Sequence, residues 1–216
     1  GLWDHLSGKG VAEDLILGAG LAKPSNQGKR PYDTFRNRIM FPIRDPRGRA
    51  IAFGGRAMDA NDSAKYLNSP ETELFDKGRS LYNFGPARKA SGKGQPLVVA
   101  EGYMDVIALS EAGFTATVAP LGTAVTEDQM QLLWRISDEP VIALDGDQAG
   151  LRAAMRVIDL ALPLIEAVNI ESLFLIAGGT GPDVVGRAVG GGALRRGGGG
   201  AGGGGGGGWG GGWGGG

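Results

Sequence analysis

Three carboxylates occupy positions suited to chemistry. Glu101 directly follows the apolar run Leu97-Val98-Val99-Ala100, and Asp145 and Asp147 follow a second run, Val141-Ile142-Ala143-Leu144. Short apolar runs of this kind are expected of strands buried on both faces. If the two strands are parallel neighbours, all three acids project from one edge of a sheet. Alternate residues of extended backbone point the same way, so Asp145 and Asp147 can face one site. Anions gathered in one crevice repel unless a cation joins them. Mg²⁺ takes one or two carboxylates and fills its octahedron with waters and substrate phosphates. Such an ion could orient a 3′-hydroxyl and stabilise a leaving pyrophosphate during phosphoryl transfer. The segment Asp145-Gly146-Asp147 also reads as a solvated turn, since Asp and Gly favour turns. Phosphatases with an Asp-X-Asp nucleophile continue with a small hydroxyl or β-branched residue where Gln148-Ala149 stand here. Glu101, at a separate strand end, favours the metal reading.

Composition narrows the remaining chemistry. The 216 residues contain no cysteine and one histidine, His5, which reads as a helix-surface or packing residue. Zinc sites built from Cys and His, Cys nucleophiles and disulfide frameworks are excluded from this chain. Carboxylates, lysines and metals that prefer oxygen are left. Hydrophobic residues make up 42%, so a folded body is expected. No run approaches the roughly 18 apolar residues of a membrane span. The absence of a secretory leader points to a cytoplasmic location, and Gly1 in place of Met suggests a piece of something longer. Charge divides along the chain. Residues 29–93 carry fourteen basic and seven acidic side chains, whereas residues 94–196 carry six basic and thirteen acidic. A basic region beside an acidic one suits an enzyme that holds a polyanion against a carboxylate-bound metal; two solvated surfaces without a partner are the plainer alternative.

The elements that must position these acids follow from periodicity. Residues 1–28 read as one or two short helices broken by Gly18, Gly20 and Lys23-Pro24-Ser25-Asn26. A hairpin is predicted from residues 38–44 and 50–54 around Asp45-Pro46-Arg47-Gly48-Arg49. Residues 59–93 are polar and turn-rich, with a weak strand around Leu81-Tyr82-Asn83-Phe84 and a subdomain junction at Ser91-Gly92-Lys93-Gly94. From residue 96 strands and helices alternate: strands at 97–100, 116–119, 141–144 and 173–176, helices at 105–112, 127–136 and from 149 to about 167. Thr126 is the expected N-cap of the second helix. This alternation predicts a parallel sheet covered by helices, with ligands beyond the carboxyl ends of its strands.

Several segments together resemble one family. Glu101-Gly102-Tyr103-Met104-Asp105-Val106, Leu121-Gly122-Thr123 and Asp145-Gly146-Asp147-Gln148-Ala149-Gly150 resemble the Toprim fold of bacterial DNA primases. Arg38-Ile39-Met40-Phe41-Pro42-Ile43-Arg44-Asp45, Phe53-Gly54-Gly55-Arg56 and Lys65-Tyr66-Leu67-Asn68-Ser69-Pro70-Glu71-Thr72 resemble the same family, and separate it from topoisomerases and nucleases that share only the Toprim acids. The resemblance spans residues 29 to 176. It implies an α/β fold: a Toprim-type parallel sheet flanked by helices over 96–185, preceded by a smaller α+β basic subdomain over 1–95, with a Gly-rich tail over 186–216. It implies Mg²⁺, or Mn²⁺, held by Glu101, Asp145, Asp147 and Asp183, the first three catalytic. Asp105 matches a further acid, for which a helix-start role serves equally. Nucleotide binding would fall to Lys65, Asn68, Lys77 and Arg79, and template DNA to Arg36, Arg38 and Arg56. The implied function is synthesis of short RNA primers from ribonucleoside triphosphates on single-stranded DNA, leaving an RNA–DNA product in the cytoplasm at the nucleoid. The alternatives are another Toprim enzyme or an inactive nucleic-acid-binding fragment. The family's zinc ribbon and helicase-binding domain have no counterpart in these residues, so no zinc is expected within the chain, helicase coupling would need a C-terminal domain outside it, and no membrane contact is expected.

The pattern breaks after residue 176. Where the family carries an Asp-Pro-Asp motif, Asp183 matches the second acid and Gly181 stands in place of the first. Of 42 glycines, 24 lie in residues 178–216, a stretch expected not to fold because burial cannot offset its ordering entropy. A one-base shift of reading frame near residue 177 accounts for both features under one choice of synonymous codons; glycine standing in for unassigned residues accounts for the tail as well.

Overall fold

The computed structural model describes residues 1–25, 28–122, 124–145, 147–168, 174–177 and 185. Two short helices open the chain, α1 (Leu2–Gly8) and α2 (Glu13–Gly18), as the breakers predict. Gly1 offers no capping side chain. Asp33 supplies the cap from a distance, its carboxylate accepting from Leu2 N at 2.8 Å and Trp3 N at 2.7 Å. Asp33 lies on β2 (Tyr32–Asp33), which pairs antiparallel with β1 (Ala22–Lys23).

The predicted hairpin is present. Strand β3 (Arg38–Arg44) runs antiparallel to β4 (Ala50–Ala57), and β5 (Tyr66–Asn68) adds to the far edge of β4. Asp45 closes the turn by accepting from both Arg47 N and Arg49 N at 2.9 Å. β4 extends past the expected stop at Gly54 to Ala57. Its glycines reflect a packing requirement: a β-carbon on Gly54 would lie 2.5 Å from Cζ of Tyr103. Phe41, Ile43 and Ala52 on the same sheet face bury themselves with Phe75, Tyr103 and Leu121. That cluster joins the basic subdomain to the alternating half.

The weak strand expected at 81–84 is a single antiparallel bridge from Tyr82 to Ala119, followed by a helix that periodicity missed, α3 (Phe84–Ser91). Gly85 and Pro86 read as breakers, yet they sit in the first helical turn, where a backbone N–H needs no intrahelical partner. Leu81 and Ala87 are buried in the same cluster as Val99 and Val118, so the packing of this segment crosses the expected junction near residue 92.

The second half alternates as predicted: β6 (Val98–Val99), α4 (Tyr103–Glu111), β7 (Thr117–Val118), α5 (Glu127–Trp134), β8 (Val141–Leu144), α6 (Gln148–Val168) and β9 (Phe174–Ala177). The four strands are parallel, in the order β7-β6-β8-β9. Met130 and Leu133 of α5 and Ala154, Val157 and Ala161 of α6 pack with Val99 and Ile142 on one face. Val106 and Leu109 of α4, with Val185, pack with Val98 and Ala143 on the other. The fold is therefore the mixed α/β arrangement expected, a Toprim-like layer preceded by the small antiparallel sheet. Among the described residues no helix is long and apolar enough to cross a membrane. Asp183 and the glycine-rich stretch lie outside the described residues.

Candidate active site

Strands β6 and β8 are hydrogen-bonded neighbours, with Val98 opposite Val141 and Val99 opposite Ile142. Glu101 and Asp145 therefore leave the sheet at the same carboxyl edge. The connection after β6 goes to one face through α4, while α5 and α6 cover the other. The crevice between β6 and β8 is thus a topological switch point, where open α/β sheets receive ligands. Asp145 N donates to Glu101 Oε1 at 2.9 Å, tying the two strand ends together. Glu101 is exposed overall, yet partial desolvation raises its carboxyl above the ordinary value; the Asp145 N–H opposes this, and the charges of Asp145, Asp105 and Asp147 add to it.

Asp147 accepts from Gly150 N at 2.7 Å, capping the first turn of α6. Helix α6 comes so close to the preceding strand end that a β-carbon on Gly150 would overlap the Asp145 carbonyl oxygen. Asp105 takes the helix-start role, accepting from Gly102 N at 3.1 Å. Glu101, Asp145 and Asp147 thus share one rim, although among the described residues no three acids form a ready-made ion cage. An oxygen-only donor set with one or two carboxylates suits an Mg²⁺ ion that completes its shell from phosphates and water.

The basic residues divide by what holds them. Asn68 spans the two halves: its Nδ2 donates to Leu121 O at 3.0 Å, and Tyr103 O–H donates to its Oδ1. Tyr103 stacks on Phe41 with ring centroids 5.2 Å apart and meets Tyr82 edge-on at 4.7 Å. Burial, then the neighbouring Tyr82, raises the Tyr103 phenol well above its ordinary value, against the Asn68 hydrogen bond. The phenol is the donor in that hydrogen bond. Lys77 and Arg79 form a single 3-10 turn, Lys77–Arg79, and Arg79 Nε lies 3.6 Å from Asp128 Oδ2 with both side chains exposed. Lys65 is exposed, its ammonium 5.8 Å from the centroid of the exposed Tyr66 ring. Arg56 and Lys65 are among the residues lining a pocket of about 380 Å³, with Asp59 and Asp62. Arg36 is exposed over the Tyr32 ring, 5.6 Å from its centroid. Arg38 differs from the other two template candidates. Only 6% of its side chain is exposed, and it is engaged with Asp62 Oδ2 at 2.8 Å and Ala64 O at 2.7 Å.

Two residues that organise this site were not singled out in the sequence. Tyr103 was hidden within a motif whose acids drew attention. Gln129, fully buried, completes a capping box with Thr126. The spacing Thr126-Glu127-Asp128-Gln129 is the signal that could have found it.

A carboxylate-bearing parallel rim at a switch point, preceded in the chain by a basic antiparallel sheet, is a Toprim-type arrangement. Residues 95–173 match the Toprim domain family. Residues 1–88 match the family described as DNA primase catalytic core, N-terminal domain. The chain belongs to the bacterial DNA primase family. It is 46% identical over 176 residues to the DNA primase of Salmonella typhimurium, covering 82% of this chain and 30% of that protein. It is 46% identical over 199 residues to the DNA primase of Pseudomonas aeruginosa, covering 89% of this chain and 30% of the relative. The chain thus spans about a third of the length of these curated relatives. Among solved structures, the DnaG primase catalytic domain bound to single-stranded DNA superposes with a TM-score of 0.72 at 41% identity, over 88% of this chain and 60% of that one. The Escherichia coli primase catalytic core superposes with a TM-score of 0.70 at 44% identity, over 84% and 57%.

Proposed function

We propose that this chain is the nucleotidyl-transfer core of a primase, joining ribonucleoside triphosphates into short RNA primers along single-stranded DNA. The observation that carries this reading is the Glu101–Asp145 contact at the switch-point rim, which puts two acids of different strands on one site. Glu101 and Asp145, with Asp147 and the matching acid Asp183, would hold Mg²⁺ or Mn²⁺. When bound, such an ion neutralises developing phosphate charge and lowers the pKa of an oxygen it touches. In the proposed reaction a 3′-oxygen bonds to the α-phosphorus of the incoming nucleotide, and the bond from that phosphorus to the bridging oxygen breaks. Pyrophosphate departs. The hydroxyl proton would pass to a rim carboxylate oxygen not engaged by the ion, or through it to solvent water.

Cations would position the reactants. Lys77 and Arg79 lie next to the N-terminus of α5, beside the same rim, and would take the triphosphate. Asn68 on β5, and Lys65 just before that strand, would border it. Arg56 and Arg36, with exposed or half-exposed side chains, would follow template phosphates, giving affinity with little sequence information. Arg38 is better read as a structural cation holding the 62–64 loop.

The test is primer synthesis on a single-stranded template with Mg²⁺ or Mn²⁺, comparing the parent chain with Asp145→Ala. Synthesis by the parent and its loss in the variant supports the reading. Template binding by both, with synthesis by neither, would instead identify a binding fragment.

A further inference from the structure

The turn that carries Lys77 and Arg79 is made by the basic subdomain but held by the Toprim half. Gln129 is fully buried, and its amide nitrogen donates to two carbonyls of the turn at once, Lys77 O and Ser80 O, each at 2.9 Å. The Thr126 hydroxyl donates to Gly78 O at 2.5 Å. All three carbonyls therefore find donors on the first turn of α5. The same two side chains also cap their own helix: Gln129 N donates to Thr126 Oγ1 at 3.1 Å, and Thr126 N donates to Gln129 Oε1 at 3.1 Å. A capping box needs only the acceptor capacity of these side chains. Their donor capacity is what reaches the turn.

Helix α5 begins on the carboxyl side of β7, the rim that also bears Glu101 and Asp145. The basic turn is therefore tied to the acids' own sheet as well as to its own loop, where Asp76 Oδ1 accepts from Gly78 N at 2.8 Å.

We infer that Gln129 and Thr126 are positioning residues for nucleotide binding, setting the distance between the Lys77–Arg79 cations and the carboxylate rim through donors aimed at the turn's backbone. A lysine on a free loop binds phosphate as a mobile point charge. One whose backbone is fixed loses less entropy when a triphosphate arrives. The expected signature is weaker nucleotide binding with no change in template binding, beyond what any loss of global stability explains.

This inference rests on the reading of Lys77 and Arg79 as nucleotide ligands, and the experiment separates the two. Gln129→Glu keeps the acceptor for Thr126 N and replaces the donor with an acceptor facing two carbonyls. Thr126→Asp keeps an equally good helix cap and removes the donor to Gly78 O. Each would be made in the full chain beside Lys77→Ala and Arg79→Ala. The readouts are the Kd for ATP with Mn²⁺, the Kd for a single-stranded oligonucleotide, amide hydrogen exchange over residues 76–80, and Tm. Both donor variants should weaken ATP binding by up to about tenfold, the cost of ordering one or two freed cationic side chains on binding, and speed exchange in the turn. Oligonucleotide affinity should hold. Unchanged ATP affinity in both donor variants, with weakened binding in Lys77→Ala or Arg79→Ala, overturns the positioning role alone. Unweakened binding in both cation variants overturns the underlying nucleotide assignment. If Gln129→Glu does not fold, Thr126→Asp carries the same comparison.

Discussion

The backbone N–H of Asp145 donates to the Glu101 carboxylate, 2.9 Å across the ends of two parallel strands. One acid is thereby held by the main chain that presents the other. The arrangement concentrates negative charge, and its consequences can be measured.

Replacing Glu101 with Gln keeps an acceptor for the Asp145 N–H and removes one charge from the cluster. Primer synthesis should fall by about 100-fold or more. Thermal stability without divalent ions should hold or rise, because less like charge is confined. A large drop in Tm would show that the carboxylate is there for the fold.

The raised Glu101 carboxyl also fixes a pH dependence. Its ordinary value is 4.5, and partial desolvation, with the nearby acids, lifts it in the folded chain. Between those two values the folded chain binds more protons than the unfolded one. Stability contributed by this group is therefore present below the window and is lost as pH rises through it. Divalent ions bind the ionised form, so their affinity should grow over the same window. Subtracting the Tm-versus-pH curve of Glu101→Gln from that of the parent, with chelator present, isolates the effect; a difference curve that rises with pH contradicts it.

Gly150 has no room for a side chain. Gly150→Ala should destabilise the chain by about 1–3 kcal/mol as α6 is pushed off the Asp145 carbonyl, and metal affinity should fall with it. Denaturant unfolding and metal titration of the same preparation read both.

The three arginines should separate cleanly. Arg38→Ala strands Asp62 and Ala64 O without their partner and should cost about 2–4 kcal/mol of stability. Arg56→Ala and Arg36→Ala should leave stability within about 0.5 kcal/mol. Each should instead lower oligonucleotide affinity and flatten its salt dependence by about 0.7 in log–log slope. Filter binding at several salt concentrations, with unfolding curves, distinguishes the classes.

Tyr103→Phe removes the hydroxyl donor to Asn68 and keeps the ring against Gly54, Phe41 and Tyr82. A loss of about 1 kcal/mol is expected, with synthesis retained. Loss of synthesis at unchanged stability would mean that the phenol reaches the substrate.

Much of the frame was legible in the sequence because its signals were local. Four apolar runs set the strands, Thr126 announced α5, and acids after two of those runs marked the rim. The unread parts are long-range. Helix α3 went unread because Phe84–Ser91 lies in a polar, turn-rich stretch, and the Pro86 that sits in its first turn carries no helical periodicity of its own. Asp33 capping α1 joins residues about thirty apart, which no spacing rule detects. Arg38 looked like its basic neighbours, and only the burial of its side chain reveals an internal partner. Asn68 carries both halves of the molecule on one amide, a role invisible until β5 meets Tyr103. Gln129 was a capping residue whose second set of hydrogen bonds depends on a turn about fifty residues earlier.

The order β7-β6-β8-β9 has a consequence for biogenesis. β6 precedes β7 in the chain, and β8, whose end is followed by Asp145, comes after both although it lies directly beside β6 in the sheet. If the rim holds an ion as proposed, a product that ends before Asp145 would lack one of the residues that hold it.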